Sequence, residues 1–212
     1  IIDTDNDNRF LCWNDNNKPP RCVNIERAKT YGENNFEDKH ISLVKAPPLD
    51  PPVTEPLNTA SNQENFIKER MLQIAYRFKF LDGEYSATSP FTVEAFKPET
   101  FRYDFNTSTN KSMVNSYNAI NITFNTGDEL VEEIDILFKE SGENNIYIAE
   151  TFNKKFKGWG NNEDVSFQFF NNKIFKTLPE KELGRLFDNV PLKALAQDVI
   201  SNRLAFGNYT EN

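Results

Sequence analysis

With 212 residues, 38% of them hydrophobic, the chain is long enough to bury a core without needing metal or disulfide staples. Asp and Glu number 32 against 24 Lys and Arg, a formal charge of -8, so most of the surface repels a phosphate backbone or an anionic membrane, and neither specific nucleic acid nor membrane is expected as a partner. No run of eighteen apolar residues occurs, and the opening IIDTDNDNRF lacks the basic start and apolar middle of a signal peptide.

Phe is abundant at 19 while Gly stands at 8 and Met at 2; with Asn scattered throughout and strong helix formers sparse, strands joined by polar turns are expected. The chain starts and stops inside sequence that reads as structured, NRFLCW and NRLAFGNY, and is expected to be a piece of a longer protein. From the start, Phe10 and Cys12 share a face, NDNNKPP is a turn, and Val23 and Ile25 resume the alternation, which makes strand, turn, strand. RAKTYGENNFEDK (27–39) reads as an irregular loop with one helical turn. HISLV is a short strand running into KAPPLDPPVTEP, whose prolines keep it extended and out of any central ladder.

The strongest signal follows. Leu72, Ile74, Tyr76, Phe78 and Phe80 alternate with polar or small residues, the pattern of a half-buried strand. LDGE makes a tight turn, and Tyr85, Ala87, Ser89, Phe91 and Val93 form a second alternating run with an edge or bulge at Pro90, completing a hairpin. Four more strands are expected at Ala119–Asn125, Val131–Glu140, Asn145–Asn153 and Val165–Phe170, separated by Gly, Asn and Asp clusters. PEKELGRLF (179–187) is a short helix. Asn8–Asn16 and Asn202–Asn212 share an Asn-Arg-apolar start, a weak internal repeat of the kind in which a sandwich interrupts like elements of another β body. The expected fold is all-β: an antiparallel immunoglobulin or fibronectin III-like sandwich (47–178), joined to a β-hairpin segment of a larger, propeller-like body (1–46) and to a short helix with return strands (179–212).

Chemistry is sparse. Asp3, Asp5 and Asp7 have the first spacings of a calcium loop, but Asn8 and Asn14 stand where Gly and a bidentate Glu are required, so a solvated turn is the reading. Cys12 and Cys22 have only His40 to join them, which disfavours zinc. A cross-hairpin disulfide is sterically allowed, yet two small buried thiols in a reducing compartment are expected. His40 reads as a strand-edge residue rather than a general base, and Glu132, Glu133 and Asp135 as a solvent face. No catalytic, cofactor-binding or metal residues are assigned. Exposed aromatics could stack on a sugar or a partner, and Trp159, Tyr147 and Trp13 are the candidates for such an interaction surface.

AYRFKFLDGEYSATSPFTVEAF (75–96) resembles the last hairpin of a fibronectin type III module, and NAINITFNTGDELVEEIDILFKESGENNIYIAETF (118–152) its central strands, in an order that places the closing hairpin first. The succession LCWNDNNKPPRCVNIE, KAPPLDPP, RFKFLDGEYSATSPF and RLFDNVPLKALAQDVISNRLAFGNY is similar to tail structural proteins (stabilisation, nozzle or muzzle type) of crAss-like and related short-tailed Bacteroidetes phages. That resemblance implies a non-enzymatic virion component without cofactors, made in the host cytoplasm, which assembles as a homo-oligomeric ring with other tail or portal proteins. The alternative from another class is a carbohydrate-binding or adhesion module of a Bacteroidetes cell surface.

Overall fold

The structure, a computed structural model, describes residues 2–3, 9–32, 36–59, 64–183, 185, 188, 190–200 and 203–211. It is mostly β, 42% strand against 8% helix, with antiparallel sheets. Two compact units form, Ile1–Ala46 with Phe187–Asn212, and Pro47–Leu186. Along the chain the second is therefore inserted into the first.

The first unit opens with β1 (Ile2–Asp3), β2 (Arg9–Trp13) and β3 (Arg21–Asn24), an antiparallel sheet in that order. The turn between β2 and β3 is built by Asp15, whose Oδ1 accepts from the amides of Asn17 and Lys18, both at 2.8 Å, an Asx turn of the kind this composition favours. The resulting register sets Cys12 opposite Cys22 with Cα atoms 4.0 Å apart, and the two sulfurs are bonded. The expectation of free thiols is thus overturned: directly opposed positions on one strand pair bring side chains together whatever their chemistry. Strand β3 ends at Asn24 instead of running on through Ile25, because the Asn24 side chain caps α1 (Ile25–Ala28), accepting from Arg27 N at 3.0 Å. His40 is not on a strand. It lies buried in α2 (Asp38–Ile41), where its Nδ1 accepts from Glu37 N at 2.9 Å and its ring lies 4.2 Å from that of Tyr31.

The second unit is an antiparallel sandwich. One sheet contains β4 (Val53–Leu57), an edge strand that tolerates Pro56; the facing sheet contains β5 (Leu72–Phe80). A small hairpin, β6 (Tyr103–Asp104) and β7 (Thr109–Asn110), precedes β8 (Ala119–Asn125), β9 (Val131–Glu140), β10 (Tyr147–Asn153), the helical turn α3 (Lys154–Lys157), β11 (Asp164–Phe169), β12 (Lys176–Thr177) and α4 (Glu180–Leu183). The sheet orders are β12-β10-β9-β5 and β11-β8-β4. Ile74, Tyr76, Phe78, Ile134, Ile136 and Phe138 from the first sheet meet Ile120, Ile122, Phe124 and Phe169 from the second, as period-two patterning requires.

The expected second hairpin strand, 85–93, is not a regular strand. Ser86, Ser89, Thr92 and Ala95 N donate to the carbonyls of Phe78, Tyr76, Ile74 and Leu72 at 2.7–2.8 Å, so this segment advances three residues for every two of β5. The missing acceptors come from side chains: Ser86 Oγ, Ser89 Oγ and Thr92 Oγ1 accept from the amides of Phe78, Tyr76 and Ile74, the same residues whose carbonyls are bonded, at 3.0 Å. Pro90 falls between rungs, where its lack of N–H costs nothing.

The outer face of the four-stranded sheet is covered as well. Ala75, Leu137, Ile146 and Leu178 form a second small core with Phe91, Ile148 and Leu183. After this the chain returns to the first unit as a hairpin, β13 (Lys193–Ile200) with β14 (Arg203–Thr210).

Candidate functional site

Two of the three aromatic candidates, Tyr147 and Trp159, contribute to core packing. Tyr147, at the start of β10, stacks on Phe138 with ring centres 5.3 Å apart. Trp159 follows α3, which Gly158 closes at a φ of 68°. Its ring stands edge-on to Phe124 at 5.9 Å and 5.4 Å from Phe152, so it closes one part of the inter-sheet core. Both are half-buried against the same core. Trp13 lies half-buried in β2 opposite Arg21.

Charged groups inside the sandwich are neutralised locally. The Arg77 guanidinium, 5% exposed, donates to Asp135 Oδ2 at 3.0 Å and pairs with Glu182 of α4, while the Tyr85 ring lies 4.0 Å from it. Thr151 Oγ1 donates to the other Asp135 oxygen at 2.6 Å. Asp135, expected on a solvent face, is 3% exposed, because α4 and Leu178 cover that side of β9. Lys154 is buried with Nζ donating to Gly127 O, Asp128 O and Asn161 Oδ1 at 3.1, 2.6 and 2.8 Å. These three bonds use all the ammonium protons, and burial pulls the amine below the ordinary lysine range. Such groups fasten neighbouring segments together.

No group of three or more His, Cys, Asp or Glu among the described residues could hold a metal. Of the acidic opening, Asp5, Asp7 and Asn8 lie outside the described residues, and Asp3 contributes backbone to β1.

What stands out instead is apolar side chain left in solvent. On the β6–β7 hairpin Phe101 is 72%, Phe105 86%, Met113 51% and Tyr103 42% exposed, with the Tyr103 and Phe105 rings 5.0 Å apart, edge to face. Beside the 85–95 edge a recess of about 360 Å³ is lined by Pro47, Pro48, Leu49, Pro90 and Phe91. In the first unit Leu192, Leu195, Val199, Ile200 and Tyr209 are all exposed on or beside β13–β14. The sequence reading assigned nothing to 97–118, where the alternation Phe101, Tyr103, Phe105 has the spacing of a core strand, and the structure alone shows these rings exposed. No protein-family model matches the chain, and no curated protein is similar to it.

Proposed function

We propose that the chain is a non-enzymatic structural component of a bacteriophage virion, part of a tail or portal-proximal channel assembly, acting through subunit interfaces. The observation that carries this reading is the β13–β14 hairpin, which leaves Leu195, Val199, Ile200 and Tyr209 in water; exposed apolar strand surface is the raw material of an assembly contact. In this reading the first unit is part of a larger, propeller-like β body. The Cys12–Cys22 bond fits a released particle, where the surroundings are oxidising even though the chain is made in a reducing cytoplasm.

The test is to image the full-length gene product by negative stain and to search purified particles from the source for its peptides by mass spectrometry. Rings, and peptides that co-purify with particles, are the expected result. A monodisperse bead absent from particles, or strong binding on a glycan array, would favour the adhesion reading.

A further inference from the structure

Each sheet of the sandwich has two edges, and all but one of them are protected. Segment 85–95 closes β5 with its hydroxyls, and β4 carries Pro56. Strand β10 is covered by β12 at Tyr147 and Ile148, then shifts register and carries the Lys173–Glu150 ion pair. Such devices discourage strand pairing. The remaining edge, β11, has no neighbour on its outer side among the described residues, and its sequence, DVSFQF, contains no proline, lysine or register shift. We infer that β11 is an interface between copies, pairing antiparallel with β11 of a second chain about a twofold axis at Ser166. This goes beyond the assembly reading, because a twofold contact joins two copies whether or not a ring is built.

Hydrogen-bond phase selects the second copy. Thr126 N donates to Glu163 O at 2.8 Å, and the register runs on from Asp164↔Asn125 to Phe169↔Ile120. Bonded and non-bonded pairs alternate along an antiparallel ladder, so Val165, Phe167 and Phe169 direct their backbone groups to β8 while Asp164, Ser166 and Gln168 turn theirs outward. The side chains of the outward set are exposed. That set is symmetric about Ser166, which makes the strand its own complement. With the axis there, Asp164 of one copy faces Gln168 of the other and the two Ser166 residues face each other, every such pair exchanging two backbone bonds. Moving the axis to Val165 or Phe167 loses one pair.

Side chains agree with this register. Each Asp164 carboxylate meets a Gln168 carboxamide, acceptor to donor, whereas a parallel in-register pairing sets Asp164 beside Asp164. No like charges are therefore opposed within the paired strands, although each copy carries -8. On the inner face Val165 and Phe167 are half-buried at the margin of the core. They fall opposite one another across the axis in non-hydrogen-bonded pairs, where side chains approach most closely. Pairing joins two three-stranded sheets into one and covers that apolar margin, the manner of contact in which main-chain bonds supply the affinity.

The experiment uses the 212-residue chain in sedimentation velocity up to about 1 mM, a range that captures weak contacts. Wild type is compared with Ser166→Lys, Ser166→Glu and Glu55→Lys. Both positions are exposed, so the variants stay near the wild-type thermal midpoint at dilutions where the wild type is monomeric. The wild type should dimerise as concentration rises, and exchange of the Asp164, Ser166 and Gln168 amides should slow with it. Either Ser166 variant alone should lose the dimer, since at a twofold axis a residue faces its own copy. Mixing the two should restore it as one-to-one heterodimers with Lys facing Glu, and Glu55→Lys, on the opposite edge of the same sheet, should dimerise like wild type. A wild type that stays monomeric, outward amides whose exchange ignores concentration, a Ser166 variant that dimerises alone, or a mixture that stays monomeric would each overturn the contact. None of these outcomes touches the virion reading, which stands or falls on particles and imaging, and rings seen there would not rescue the twofold contact.

Discussion

Prolines aside, all the buried hydrophobic side chains of the described residues except one, Ala194, lie between Ile67 and Leu178. The sandwich holds itself with two facing aromatic and aliphatic layers. The other unit, formed by 1–46 with 187–212, buries only Pro20, Asn24, His40 and Ala194 among its described residues, and it carries the disulfide and the exposed Arg9–Glu26 pair. With so few buried side chains among its described residues, this unit leaves the disulfide a larger share in holding it together. The comparison teaches that one chain can combine a module held by a layered core with one that buries little and closes a hairpin covalently.

The largest effect is expected in the sandwich. Phe138 touches Tyr147, Phe169 and Phe175 at ring distances of 5.3, 5.0 and 4.9 Å. Phe138→Ala should remove about 4 kcal/mol, read from guanidinium denaturation followed by Trp159 fluorescence. Amide exchange in β13–β14 should stay unchanged, and a change there would show that the two units share one cooperative transition. Next comes Arg77→Leu, which leaves Asp135 buried without its cation and should cost about 3 kcal/mol. Adding Asp135→Leu should recover much of the loss, and if it does not, packing rather than charge pairing holds α4 in place.

Reduction of Cys12–Cys22, a bridge over a separation of 10 residues, should cost about 2–3 kcal/mol by loop-closure entropy. The effect belongs to the other side of the comparison. Exchange at Arg9–Asn24 should accelerate while the sandwich midpoint stays put, and an unmoved hairpin would show that its order has another source. The smallest effect concerns Lys154, whose amine is lowered by burial. As pH rises, the folded chain gives up that proton before the unfolded chain does. Between the lowered value and the ordinary lysine value the unfolded state therefore binds more protons, and stability rises with pH. Urea titrations from pH 8 to 10.5 should show wild type gaining on Lys154→Met, and a flat difference would contradict the assignment.

Much of the sandwich was legible before any coordinates. Leu72–Phe80, Ala119–Asn125 and Val131–Glu140 are strands with the expected ends, because a face buried against a second sheet imposes strict alternation. The 85–95 segment defeated the same rule. Its hydroxyls substitute for carbonyls, and a period-three chain can carry apolar residues at positions that mimic alternation. The exposed hairpin drew no expectation at all: Phe101, Tyr103 and Phe105 are spaced like core residues, and only the absence of a covering layer distinguishes them. Cys12 and Cys22 were visible as neighbours, but whether their sulfurs meet depends on register, which the Asp15 turn sets.

By itself the sequence determined the β class, the extents of three sandwich strands, Leu72–Phe80, Ala119–Asn125 and Val131–Glu140, and the polar character of the turns, all of them consequences of local periodicity and turn chemistry. Only the tertiary structure decided that Asp135 is buried beneath α4, that Trp159 closes a core, and which aromatic rings remain in water. Each of these depends on what lies opposite a side chain, and that is set by residues far along the chain.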